Sequence, residues 1–124
     1  MDFEDEEFVK REQSDDLLFE AYEEPIKIKA IKLAKQALEL NPNNIDAENF
    51  ITKHETNTIK RLKKYEETLN KEKNNLEKEN FFNEENIGIF WGLIETRPYM
   101  RTKHSYIMEL GRYKEAIKQG EELL

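Results

Sequence analysis

The chain has no cysteine, so it forms no disulfide, holds no metal through thiolate and offers no cysteine nucleophile. Proline and glycine are scarce, at three and four residues, which leaves few turns for a many-stranded β fold. No stretch approaches the roughly 18–20 apolar residues needed to span a bilayer. The N-terminus is acidic where a signal peptide would be basic, which argues against secretion. A glycine-rich phosphate loop and a GxSxG-type nucleophile elbow are both missing. These absences point to an α-helical protein of the cytoplasm.

What is present is charge. Charged residues make up 38% of the 124 residues and apolar ones 37%, a composition that reaches a core through narrow stripes on helices. The net charge of −7 is unevenly spread. Met1 to Glu24 carry eleven acids and two bases, so the remaining hundred residues sum to +2. Residues 1–13 are expected to form a solvated, partly disordered acidic leader. Such a segment could also attract a basic partner or lie across the chain's own basic surface.

From Ser14 the pattern is helical. Ser14, Asp15 and Asp16 supply cap chemistry, and Leu17, Leu18, Ala21 and Tyr22 recur at three- and four-residue steps. Pro25 closes this helix and opens the next. In the second helix Ile28, Ile31, Ala34, Ala37, Leu38 and Leu40 are expected to share an apolar face flanked by Leu33, with Lys27, Lys29, Lys32 and Lys35 elsewhere. Asn41-Pro42-Asn43-Asn44 ends it, since the residue before proline avoids helical angles and Asn favours turns. A third helix is expected over 45–55, with Ala47, Phe50 and Ile51 inward. A long charged fourth helix is expected over 58–78, on a thin stripe of Ile59, Leu62, Tyr65, Leu69 and Leu76. Phe81, Phe82, Phe90 and Trp91 mark an irregular aromatic connector, expected to fill space between units of unequal length rather than to form a ligand-binding cluster. Thr96 is the expected N-cap of a fifth helix running to Leu110. Gly111 is expected to turn the chain into a sixth, from Tyr113 to Leu124.

Two segments share a spacing. In "KIKAIKLAKQALELNPNN" and "GRYKEAIKQGEELL" a small residue, Ala30 or Ala116, precedes isoleucine, and an apolar pair follows (Ala37-Leu38, Leu123-Leu124). The match resembles the second helix of a tetratricopeptide repeat, with "LGRYKEAI" and "ALELNPNN" its most specific elements. "FWGLIETRPYMR" followed by a helix pair looks like a block found in bacterial tetratricopeptide proteins, and the likeness extends over Leu17 to Leu124. The resemblance implies an all-α, tetratricopeptide-like stack of antiparallel helix pairs, about six helices, as one domain over 14–124. Ala30 and Ala116 stand 86 residues apart, more than two 34-residue periods, so the middle unit is expected to be extended. The chain stops before the leucine-x-proline turn that would follow. It is therefore expected to be truncated, or capped by a partner or a second copy.

Little in the sequence points to chemistry. His54 and His104 are 50 residues apart, and His54-Glu55 lacks the second histidine of a zinc helix. His104, between Met100 and Ile107, is expected to face inward. Glu66-Glu67 and Glu84-Glu85 read as solvated acids, and Lys60-Arg61 and Lys63-Lys64 are followed by acids on the same helix, which argues against nucleic acid. Leu62, Leu69 and Leu76 keep seven-residue spacing, but the companion heptad positions are charged. The local anomaly is Arg97-Pro98-Tyr99-Met100-Arg101, because positive side chains at a helix start oppose the helix dipole. Arg97 and Arg101 share a face with Ser105 and Met108.

The resemblance implies that such a face lines a concave surface, where two arginines would suit an acidic peptide, a carboxylate or a phosphate. The alternative is that they pair with Glu95, Glu109 or the acidic leader and only hold helices together. The leading expectation is a non-enzymatic scaffold that binds a protein or peptide, with no metal or cofactor and neither nucleic acid nor membrane as partner. Arg97, Arg101, Ser105 and Met108 would form its binding face, with Asp15, Phe19 and Tyr22 as further contributors. A self-associating module, dimerising through its unfinished C-terminal pair, ranks second. A small-ligand or phosphate-binding enzyme ranks third.

Overall fold

A computed structural model describes residues 3–78 and 96–122, and all regular secondary structure among them is helical. Five helices follow in order: α1 (Phe3–Glu23), α2 (Lys27–Leu40), α3 (Ile45–Lys53), α4 (Thr58–Lys78) and α5 (Arg97–Glu122). They gather into two compact units, Met1–His54 and Glu55–Leu124. The aromatic connector around Phe81, Phe82, Phe90 and Trp91 lies outside the described residues, as do Leu123 and Leu124.

In the first unit α1 is longer than its cap chemistry suggested. No glycine or proline interrupts Phe3–Glu23, and acids near the start favour the positive helix end. The helix therefore begins well before Ser14, which is not a cap but a buried mid-helix residue. Glu24, Pro25 and Ile26 reverse the chain, with the Ile26 N–H donating to Glu24 Oε1 at 3.1 Å. Ser14 meets Ala37 while the adjoining ends of the helices are joined by those three residues, so α1 and α2 run antiparallel. The face between them is built from small residues. Ala30, Ala34 and Ala37 on α2 are buried at helical spacing, with Ala21 on α1 and Ala47 on α3. Leu18 and Phe50 complete this core, and Leu17, Leu33, Leu38 and Ile51 pack at its rim. Ile28, expected inward, is 80% exposed, because nine residues at 100° each set it opposite Ala37.

Methyl side chains bring the backbones close enough for polar contacts between helices. The Ser14 hydroxyl donates to the Ala37 carbonyl at 2.6 Å, and that oxygen also accepts the Asn41 N–H that closes α2. Ser14 Oγ in turn accepts from Asn44 Nδ2 at 2.8 Å. Asn44 Oδ1 accepts the Ala47 N–H at 3.1 Å and so caps α3. One relay thus joins the middle of α1, the end of α2 and the start of α3. The predicted Asn-Pro-Asn-Asn turn forms as well, with the Asn43 N–H donating to Asn41 Oδ1.

In the second unit α4 lays Leu62, Tyr65, Thr68, Glu72 and Leu76 inward. Leu76 packs with Tyr99, and Arg61 pairs with Glu109, so α4 and α5 are also antiparallel. The seven-residue leucine spacing is therefore used within this unit, with Leu62 and Leu76 buried and Leu69 packed beside Leu76 and Tyr99. Asn57 Oδ1 caps α4 by accepting the Lys60 N–H at 3.0 Å. The Arg61 guanidinium donates to Glu109 from Nε and Nη2, to the Glu55 carbonyl from Nη1, and to Thr58 Oγ1 from Nη2.

Two expectations fail on α5. Gly111 makes no turn, and the expected pair of helices is one helix of 26 residues. Tyr106, Leu110 and Tyr113 stay half-buried on a single stripe that runs past the glycine, and a side chain at Gly111 would meet nothing within 4 Å. His104 is exposed, not inward, because the packed face of α5 is centred on Tyr99, Thr102 and Tyr106.

Ser14→Ala and Asn44→Ala should each destabilise the protein by about 1–3 kcal/mol, and the double variant by less than their sum, since both break one relay. Urea unfolding of the four proteins checks this. Arg61→Lys should lower the melting temperature, with a loss of about 1–2 kcal/mol, because an ammonium cannot reproduce the planar fork. Circular dichroism melts provide the measurement.

Candidate functional site

The outward side of α1 carries apolar area that its own core leaves uncovered. Phe8, Glu12, Asp15, Phe19 and Tyr22 fall at steps of four, three, four and three residues and so make one line along the helix. Phe8 is 55% exposed, Phe19 64% and Tyr22 59%. The buried residues Ser14, Leu18 and Ala21 lie one position back along the chain, which turns the line about 100° from the core. The relay through Ser14 fixes this rotation.

The line borders α3. Tyr22 meets Phe50 edge-on, with ring centroids 5.0 Å apart, and Phe50 meets His54 in the same manner at 4.8 Å. At the other end Asp15 Oδ1 accepts from Asn44 Nδ2 at 3.3 Å. Partial burial raises the Asp15 pKa above its ordinary 3.8, and the negative charges of Asp46 and Asp16 push it the same way. His54 moves down, chiefly through burial and then through the positive charges of Lys27 and Lys53. The strip between α1 and α3 is thus acidic around Asp15 and Asp46 and aromatic, with bases nearby, around Phe50 and His54.

The seven residues singled out from the sequence fall into two groups, one in each unit. Asp15, Phe19 and Tyr22 stand together on α1. Arg97, Arg101, Ser105 and Met108 follow one side of α5, where the arginines and Met108 are exposed and Ser105 is half-buried. Glu109, considered as a partner for these arginines, is engaged by Arg61. Below them a shallow depression of about 450 Å³ runs beside Ile107, Met108, Gly111, Arg112, Glu115 and Ala116. Sequence reasoning missed Phe8, Asp46, Phe50 and His54 as members of the first group. Phe8 was legible, seven residues before Asp15, once the leader is read as helix.

Among the described residues no three His, Asp or Glu side chains gather to hold a metal ion, and no helix is long and apolar enough to cross a membrane. The chain matches no family, no curated protein and no solved structure.

The raised Asp15 pKa gives a signed prediction. A folded-state value above the unfolded one means that Asp15 favours the fold most below the unfolded pKa, and that this benefit is lost as pH rises through the folded value. Asp15→Asn should therefore melt slightly higher than the wild type at pH 7, and the gap should close on acidification towards pH 4. The amide oxygen can still accept from Asn44. Paired melts across that range measure the effect.

Proposed function

We propose that this chain is a non-enzymatic scaffold that holds a protein or peptide segment on the faces of its helix pairs. The observation that carries the reading is the line of Phe8, Phe19 and Tyr22 on α1, large apolar side chains exposed together. Folding of the first unit draws on Leu18, Phe50 and the alanines instead. The tetratricopeptide resemblance of Ile26 to Asn44 supports the same reading, since a stack of antiparallel pairs exposes helix faces for contact. A cytoplasmic setting suits a cysteine-free, acidic chain. The test is to pan a phage-displayed library of random peptides against the immobilised chain. Recovered families that lose binding to Phe19→Ser or to an Arg97→Glu/Arg101→Glu double variant support a scaffold. Failure to enrich any peptide removes it.

One observation favours self-association as the second reading. The line of the packed stripe of α5 extends past Tyr113 to Ala116, Ile117 and Gly120, where every residue from Lys114 to Gly120 is exposed. Ile117, 44% exposed, would then find its cover in a second copy. Sedimentation velocity tests this: a protein that remains monomeric at tens of micromolar has no such dimer.

A further inference from the structure

We infer that the outward face of α1 receives a cationic amphipathic segment of a partner protein; this rests on the scaffold reading and names the occupant of that face. Three features of the face converge on that chemistry. The first is its apolar line, in which Phe8, Phe19 and Tyr22 are each more than half exposed. The second is the sign of the charge around it. Between Asp5 and Glu23, α1 carries eight acids and two bases, and all eight acids are exposed. Glu12 and Asp15 stand within the line itself, and Asp16 and Glu23 border its solvent side.

The third is the pairing of Asp15 with Asp46 across the strip to α3. Asp15 is partly desolvated there, and the negative charge of Asp46 adds to the rise in its pKa. An arginine or lysine seated between them would relieve that repulsion. The Asn44 amide donates to Asp15 at 3.3 Å, and Arg11 on α1 only partly offsets the acids around it. Seven residues up the helix, about 10 Å at helical rise, Tyr22 presents its ring beside Phe50, which in turn meets His54. A matching segment therefore places a basic side chain about 10 Å from a bulky apolar one. That is seven residues apart in a helix, or three in an extended strand. Lys53 and Lys27 act on the His54 end, so the cationic residue is directed to the Asp15 end.

The same charges disfavour other occupants. Nucleic acid and anionic membrane surfaces are repelled by a face with this excess of acids. A second copy docking α1 against α1 sets acid against acid. An acidic peptide, the occupant first considered for Arg97 and Arg101, belongs to α5 and not to this face.

Two fluorescein-labelled synthetic helical peptides test the inference by anisotropy. They share one leucine stripe, with polar positions all Lys and Arg in one and all Glu in the other. The cationic peptide should bind the full chain saturably. Phe19→Ser and Asp15→Lys should each weaken it about tenfold, and Arg97→Glu/Arg101→Glu should not. Phe19 is exposed and outside the core cluster, so this variant decides the matter even if Asp15→Lys unfolds. Affinity unchanged by both α1 variants would mean bulk attraction to a chain of charge −7 and would overturn the inference. Preference for the Glu peptide would do the same. If panning still enriches peptides that depend on Arg97 and Arg101, the scaffold reading survives while this occupant falls. If neither labelled peptide binds and panning enriches nothing, both fall.

Discussion

The first unit depends on a serine that has no place, by propensity alone, in the middle of a helix. Ser14 donates to the last accepting carbonyl region of α2 and accepts from the asparagine that caps α3. Without these contacts the Ser14 hydroxyl would be buried with no partner, and such a group destabilises strongly. The relay sets the rotation of α1 about its axis, the end of α2 and the start of α3 at once. Everything on the outward face of α1 inherits that rotation. A helix turned by one residue would bury Phe19 or Asp15 and expose Leu18.

The alanine face is the complement of this relay. Ala30, Ala34 and Ala37 contribute little apolar area each, yet they allow backbone and side-chain oxygens to meet across the helix boundary. A leucine core would bury more surface and would hold α1 too far away for the Ser14 hydroxyl to reach Ala37. The second unit solves the same problem differently. Its helices carry Tyr65, Leu76 and Tyr99 between them, and the polar tie is made by the long reach of Arg61 to Glu109.

Much of the fold was legible where local chemistry and tertiary packing agree. Pro25, the Asn41-Pro42-Asn43-Asn44 turn and the alanine spacing gave α2 and α3 near their observed limits, and Thr58–Lys78 was read as α4. The misreadings have two causes. A glycine in a helix is disfavoured by only about 1 kcal/mol relative to alanine, and a stripe of Tyr106, Leu110 and Tyr113 outweighs it at Gly111. Ile28 and His104 were assigned by being apolar or flanked by apolar residues, whereas burial followed the angular position of the alanines and tyrosines. On the candidate face Asp15, Phe19 and Tyr22 were legible as helical surface. Phe8 was legible only if the acidic leader was read as helix, and Asp46 and Phe50 could be joined to that face only through a contact between helices.

The continuous α5 has a thermodynamic consequence. From Lys114 to Gly120 every residue is exposed, and two glycines, Gly111 and Gly120, lie in or near this stretch. So short an unpacked helical run is marginal in water, since nucleation is borne by the packed part and only propagation holds the rest. The length of α5 is therefore a soft coordinate that solvent and temperature can shift. Whatever docks against its last turns would gain less free energy than the contact area suggests, because part of it goes into ordering the helix. In exchange, that end of the chain can report binding as a gain in helix content.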